Sequence, residues 1–291
     1  VIPNFISPML LEKTPSPLTS SKYLAEPKID GVRGLLIGDT NYSRLWSRHQ
    51  TDMTNQFPEI CKKINKGRSI ILDGEVASFN PDLSDFDFDS VMDRFRLRNE
   101  FKIKIAAERS PTTFIAWDIL YYNGQDLRGL PLYKRKEILN EVLIDDGVIS
   151  KVASLSGLHG ENLAKQVVER GWEGCVYKEV ESSYQTGKRS KQWLKWLNYK
   201  EQEVYVTGIR KKKFGYMLSR FEQGEYKPAG ILELGTSQQI RSKVWNIART
   251  NINKEDSSYY YLLPTPVLRI KVKYVRLTRN GFMRTPSFLS F

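Results

Sequence analysis

Between residues 23 and 180, apolar residues fall in short runs that switch between strand-like and helix-like stretches, with no internal repeat and no low-complexity tract. Residues 32–37 and 42–48 are rich in β-branched, aromatic and leucine side chains and flank Gly38-Asp39-Thr40-Asn41, a pattern that predicts a hairpin. Further strands are expected at 69–79, 112–122 and 173–180. Helices are expected at 58–65, in one segment within 89–108, at 131–143 opening on Pro131, and at 161–169 ending before Gly171. The alternation predicts a mixed α and β body.

Past Val180, the polar residues 182–187 lead into a dense basic and aromatic stretch, 188–200. Short strands follow, at 203–209, 230–234 and 268–275, separated by polar segments. This change of pattern predicts a small barrel and a domain boundary near residue 200.

Composition supports two domains: 291 residues with 40% hydrophobic and 12% aromatic content are enough to bury a substantial core. Charge sharpens the boundary. Residues 200–291 carry 17 Lys and Arg against 7 Asp and Glu, so +10 of the net +12 lies there and only +2 in residues 1–199. A charge run is often just a solvated face, but Lys211-Lys212-Lys213 after Arg210, with Lys271, Lys273, Arg276, Arg279 and Arg284 later, favours a polyanionic partner, nucleic acid above all. No run of about 18 apolar residues exists, and residues 1–11 lack a basic signal-like start, so no membrane span or secretory signal is expected and a cytoplasmic, intracellular location is. Two cysteines, Cys61 and Cys175, and two histidines, His49 and His159, cannot supply zinc-ligand spacing; the cysteines are expected to be buried.

The chemistry concentrates in Glu26-Pro27-Lys28-Ile29-Asp30-Gly31-Val32-Arg33-Gly34, which puts a lysine beside an acid, a glycine turn and an arginine. It matches the Lys-x-Asp-Gly-x-Arg signature of covalent nucleotidyltransferases, the superfamily of DNA ligases, RNA ligases and messenger-RNA capping enzymes. Further motifs follow in that superfamily's order. Leu72-Asp73-Gly74-Glu75-Val76 resembles its acidic motif, and Phe114 to Gly124 its aromatic one, with Trp117 where DNA ligases place a phenylalanine before Asp118. Glu173-Gly174-Cys175-Val176-Tyr177-Lys178 resembles Glu-Gly-x-Val-x-Lys, and residues 189–195 lead to the last motif of the catalytic domain. Together they span residues 26–195.

The resemblance implies roles. A lysine attacks the α-phosphate of ATP only as the neutral amine, and at an ordinary pKa of about 10.4 only about one in 2,500 is neutral at pH 7. Lowering that pKa to about 8 takes roughly 3.3 kcal/mol, which nearby Mg²⁺ and basic groups are expected to supply. Lys28 is then the nucleophile. Lys178 and Lys195 would contact phosphate, and Arg33 and Arg48 would reach ribose and phosphates. Glu75 and Glu173 would hold Mg²⁺ or Mn²⁺, with Glu75 also near the ribose. Trp117 would stack on adenine, and Glu26 would meet its amino group. Each has a plainer reading: a strand tryptophan is usually core, and a lone surface Glu or Lys is usually solvated.

One position departs from the pattern. Ligases generally carry a second lysine two residues after the one matched by Lys195; here Leu197 stands there, with Lys200 as the nearest substitute.

Residues 274–288, with Arg284-Thr285-Pro286-Ser287-Phe288 after a glycine turn, resemble the end of a DNA-ligase OB-fold, an ending that RNA ligases and capping enzymes do not usually show. The resemblance as a whole therefore implies an ATP-dependent DNA ligase of the minimal two-domain type. Its α+β fold would join an adenylyltransferase domain at 1–199, with ATP-grasp-like antiparallel sheets and helices, to an OB-fold β-barrel at 200–291. Ser7-Pro8-Met9-Leu10 resembles the start of the catalytic core, so no DNA-clamping domain is expected before it; the basic motif with which family ligases continue has no counterpart up to Phe291. Such an enzyme would work as a monomer on nicked duplex DNA in replication, repair or recombination, gripping phosphates through Lys211, Lys212 and Lys213. The rivals are an RNA ligase or GTP-dependent capping enzyme and, in another class, a non-catalytic nucleic-acid binder, which would need only basic and stacking residues.

Overall fold

The computed structural model describes residues 2–291 except Asn41, Asn65, Lys66, Leu83 and residues 265–267. Asn41 of the predicted hairpin turn and Asn65 of the first predicted helix lie outside the described residues. The chain divides into two compact units, Val1–Leu197 and Asn198–Phe291.

Among the described residues the first unit holds two large sheets, a two-stranded ribbon of Phe79–Asn80 with Asp85–Phe86, and five α-helices: α1 (Pro58–Ile64), α2 (Phe88–Arg96), α3 (Glu100–Arg109), α4 (Leu132–Val142) and α5 (Gly160–Arg170). One sheet runs Ile149–Lys151, Thr113–Tyr122, Ile70–Ala77, Val32–Gly38, Ser43–Ser47; the other runs Leu10–Lys13, Arg189–Leu197, Gly174–Glu179, Tyr23–Pro27, Leu155–Ser156. Both are mixed rather than antiparallel throughout, because Ile149–Lys151 lies parallel to Thr113–Tyr122 and Leu10–Lys13 parallel to Arg189–Leu197. The segment read as one helix within 89–108 is two. Its break follows from Asn99, whose side chain leaves the α2 path and accepts a hydrogen bond from Lys102 N at 3.0 Å, capping α3.

The two-residue period of the strands decides which face each residue meets. In the first sheet, Leu36, Leu72 and Val76 face α1, α2 and α4 in one core, while Leu35, Ile37 and Ile71 face the second sheet in another with Met9 and Trp193. Ile70–Ala77 is buried at every position because both its faces are covered. In the second sheet, Ala25, Cys175 and Tyr177 pack against α5. Asp118, within the aromatic motif, is fully buried in a two-pronged ion pair with Arg135 of α4, at 2.8 and 2.9 Å. Arg135 also donates to the Ser182 carbonyl at 3.0 Å, so the pair ties helix, strand and loop together.

The second unit is built on the long strand Lys200–Arg210. Tyr216–Glu222 pairs with one of its edges; on the other, its first half pairs with Arg269–Tyr274 and its last residues with Tyr259–Leu262. Glu225–Leu232 continues from Tyr216–Glu222, and Ser287–Ser290 from Arg269–Tyr274. A parallel bridge between Leu234 and Ser287 then joins the two ends, so five strands close into a barrel around Val204, Val206, Leu218, Ile270 and Val272. A helix, α6 (Gln238–Ala248), and a hairpin of Ile252–Glu255 with Tyr259–Leu262 interrupt the barrel between its third and fourth strands. The sequence reading has only strands and polar segments here, yet the helix signal is present: Ser237 caps the Ile240 amide, and Ile240, Val244 and Ile247 recur at helical spacing toward the barrel.

Candidate active site

Lys28 stands at the crossover from one sheet to the other, just after Tyr23–Pro27 and before Val32–Gly38. Its amide donates to the Gly174 carbonyl at 2.8 Å. The turn needs Gly31, because a Cβ there would lie 2.2 Å from the Val76 carbonyl oxygen and 2.8 Å from Glu75 Cγ; the missing side chain lets the Lys28 turn press against the acidic strand. Gly174 is needed for the same reason, since a Cβ there would lie 2.1 Å from the Trp196 carbonyl oxygen.

Strand alternation then fills the space between the sheets. A cavity of about 600 Å³ is lined by Glu26, Lys28 and Lys178 from one sheet and Arg33, Glu75 and Trp117 from the other, with Lys195, Arg48 and Arg189 also on its wall.

At one end the Lys28 ammonium donates to Glu173 Oε2 at 2.8 Å. Burial pulls its pKa down, but Glu173, Glu75 and Asp30 outweigh burial, and the net shift is upward. Without nucleotide or metal, the surrounding carboxylates, Glu173 above all, hold the proton on; the lowering expected from Mg²⁺ and basic groups is an expectation for the loaded site. Glu75 moves the other way. Burial, with Glu173 adding to it against the pull of Lys28, pushes its carboxyl up to about 8. Lys195 is lowered by burial and then by the positive charge of Lys28.

At the other end Glu26 is buried between two cations. Its Oε1 accepts from Lys136 Nζ at 2.5 Å and Ser154 Oγ at 2.7 Å, and its Oε2 lies 2.7 Å from Lys178 Nζ. Burial alone would raise the Glu26 carboxyl, but the two ammonium groups hold it down at about 2. Lys178 is brought down to about 8, mainly by burial, despite Glu26. Its ammonium lies 4.5 Å from the ring centre of Trp193 and 5.2 Å from that of Trp117. Trp117 has the Arg33 guanidinium 5.3 Å from its ring on the cavity wall, and its Nε1 is buried with no hydrogen-bond partner among the described residues.

Arg33 is fixed before any ligand arrives. It meets both Asp73 oxygens, at 3.0 and 2.6 Å, and donates to the Met9 carbonyl at 2.7 Å, while Tyr184 donates to the same Asp73 at 2.7 Å. Asp73 raises the pKa of Arg33 although burial opposes it. Arg48 is exposed, in the turn after Ser43–Ser47. Its pKa is lowered by partial burial and by Arg33 and Arg189.

The ATP dependent DNA ligase domain matches residues 8–196 of this chain. A DNA ligase-like protein, LigB, from a prophage of Bacillus subtilis is 32% identical over 99% of both chains. The chain belongs to the ATP-dependent DNA ligase family. ATP use and a covalent enzyme–nucleotide intermediate are general to it. The bifunctional non-homologous end joining protein LigD of Bacillus subtilis is 28% identical over 96% of this chain, which spans only 48% of that protein. Among solved structures, a mycobacterial DNA ligase D complexed with ATP is 23% identical with a TM-score of 0.60, over 98% of this chain and 94% of the other. A Lig E DNA ligase gives 18% and 0.64, over 98% and 99%. At these identities the structures speak for a shared fold.

Within the ligase fold, Glu26, Lys28, Arg33, Arg48, Glu75, Trp117, Lys178 and Lys195 all line the one cavity, and Glu173 reaches Lys28 at its edge. Leu197 ends its strand at the close of the first unit, and Lys200 opens the long strand of the second, paired with Tyr274. Lys211, Lys212 and Lys213 follow that strand; Lys211 meets Glu255 at 2.6 Å and Lys213 meets Glu233 at 3.3 Å. Sequence reasoning missed Lys136, Ser154, Asp73 and Arg189. Asp73 was legible, lying inside the acidic motif. Lys136 was not: it is an ordinary lysine in an amphipathic helix until the fold points it at Glu26.

Proposed function

We propose that this chain is an ATP-dependent DNA ligase that seals nicks in duplex DNA, with Lys28 as the residue that carries AMP. The supporting observation is the position of Lys28 Nζ: in the cavity between the sheets, with Glu173 and Glu75 on one side and the cations Lys195, Arg48 and Arg189 on the wall. In the first step the Lys28 amine forms a bond to the α-phosphorus of ATP while the α–β phosphoanhydride bond breaks and pyrophosphate leaves. The AMP then passes to a 5′-phosphate at the nick, and the adjacent 3′-hydroxyl displaces it to form the phosphodiester.

Lys28 must first lose a proton. Glu75 and Glu173 offer hard oxygen donors that suit Mg²⁺, which keeps several waters and shares substrate phosphates, so two carboxylates are a fitting set. A divalent cation held there would neutralise the charges that keep Lys28 protonated and would stabilise the phosphates. The residues of the chain do the rest. Lys195 and Arg48 spread positive charge over phosphate oxygens, Trp117 gives the base a flat wall, and the Asp73-anchored Arg33 supports that wall from behind.

The second unit is read as an OB-fold, on the strength of its five-stranded barrel closed by Leu234 and Ser287 with a helix before the fourth strand. Lys211, Lys212 and Lys213 would contact phosphates of a nicked duplex bound by a monomer. The test is incubation with labelled ATP or GTP and Mg²⁺, followed by denaturation. A labelled adduct with ATP, absent in Lys28→Ala, is expected. An adduct that survives Lys28→Ala refutes the assignment, and one formed only with GTP favours a capping enzyme.

A further inference from the structure

The helix that interrupts the barrel carries an outward stripe with no role in the reaction above. Arg241, Trp245 and Arg249 stand at successive intervals of four residues, so they lie one above another on one face of α6, spaced by about 6 Å along its axis. All three are exposed, Trp245 at 40%, an unusual place for a large aromatic in an 11-residue helix whose Val244 and Ala248 already satisfy the core. The Trp245 ring lies 5.4 Å from that of Tyr260 at a 56° tilt, and Lys211 Nζ sits 4.4 Å from the Tyr260 ring on its way to Glu255.

Charge selects the partner. The helix contains Arg241 and Lys243 and no acid, Arg249 follows it directly, and among the described residues none of these three has a carboxylate oxygen within 4.0 Å. Arg241 donates instead to Thr236 Oγ1 at 3.1 Å and lies over the Phe214 ring. Glu233, Glu255 and Asp256 are the acids nearby in sequence. The first two already pair with Arg210, Lys211 and Lys213, and Asp256 accepts from Tyr261. An exposed aromatic between unpaired cations suits a polyanion whose units have flat faces.

We propose that Arg241, Trp245 and Arg249 form a platform for single-stranded DNA: one unpaired base stacks on Trp245 while the arginines hold the phosphates on either side. In a duplex the base faces are occupied by their neighbours, so the stripe distinguishes an unpaired overhang from a closed helix. The proposal rests on the reading of the chain as a DNA-joining enzyme, and it adds a DNA end with a single-stranded extension to the substrates the barrel accepts.

The test is fluorescence anisotropy on the full chain with three labelled DNAs: a ten-nucleotide thymidine strand, a blunt duplex, and the same duplex with a four-nucleotide overhang. The wild type should prefer the overhang to the blunt duplex. Trp245→Ala should weaken the single strand and the overhang on the order of ten-fold, the loss expected of one stacked base, with blunt-duplex affinity unchanged within two-fold and Trp245→Phe restoring most of the preference. Equal losses on all three DNAs, or no loss on any, would overturn it. If Trp245→Ala lowers the melting temperature, the decision passes to Arg249→Gln, an exposed position beyond the end of the helix: it must lower overhang affinity more than blunt-duplex affinity, and an equal effect overturns the proposal. A wild type that binds and seals nicks but shows no overhang preference removes the platform and leaves the ligase reading standing, whereas a wild type that binds none of the DNAs removes both.

Discussion

Lys28 Nζ lies 2.8 Å from Glu173 Oε2, so the residue expected to attack ATP is stored as half of an ion pair. A paired ammonium has no lone pair to give. Its pKa is raised above the ordinary 10.5, and its neutral fraction at any given pH is therefore smaller than that of a free lysine. Labelling with an amine-reactive reagent across a pH series, read by mass spectrometry, should place the Lys28 midpoint above the ordinary 10.5 in the nucleotide-free protein. Glu173→Gln removes the nearest carboxylate and should move the midpoint to lower pH. An unmoved midpoint would mean that the pair does not control the proton.

Glu26 gives a prediction about acid. Its carboxyl is held at about 2 in the folded protein against an ordinary 4.5. The stability this contributes is fully present above the ordinary value and is lost as pH falls toward 2. Glu26→Gln leaves Lys136 and Lys178 without their buried partner, which should cost about 3–5 kcal/mol at neutral pH. The difference from wild type, measured by urea unfolding, should narrow steadily below about pH 4.5. A gap that stays constant down to pH 3 would contradict the buried pairing.

Trp117 both lines the cavity and packs against two cores. Trp117→Ala should therefore lower stability by about 3 kcal/mol as well as weakening ATP use, because the ring fills space and supports Arg33 and Lys178. Trp117→Phe should keep most of the stability and most of the adduct formation with ATP. If Trp117→Ala abolishes ATP use at an unchanged melting temperature, the ring serves the base alone.

Lys211 and Lys213 already face Glu255 and Glu233, but exposed pairs of this kind are worth under about 1 kcal/mol and yield readily to phosphate. Replacing Lys211, Lys212 and Lys213 by alanine should flatten the plot of log affinity for nicked duplex against log salt, by up to about 0.9 for each lysine that reaches a phosphate. An unchanged slope would locate the duplex on another face.

The sequence by itself determined the strands, most of the helices and the acidic and lysine motifs, because period-two alternation and a glycine turn are local properties. Motif order was enough to bring Glu26, Lys28, Glu75, Trp117 and Lys178 into a single expectation, and they do share one cavity. What sequence could not supply was charge state. The carboxylate that does most to raise the Lys28 pKa, Glu173, stands 145 positions away in sequence, and a pKa depends on what surrounds a group in space. Lys136, a helix residue 110 positions from Glu26, becomes its hydrogen-bond donor only when α4 packs against the sheets. The helix α6 was missed although its cap and spacing were legible, because the strands around it set the expectation. Only the closed barrel shows which side of it is core and leaves Trp245 on the outside.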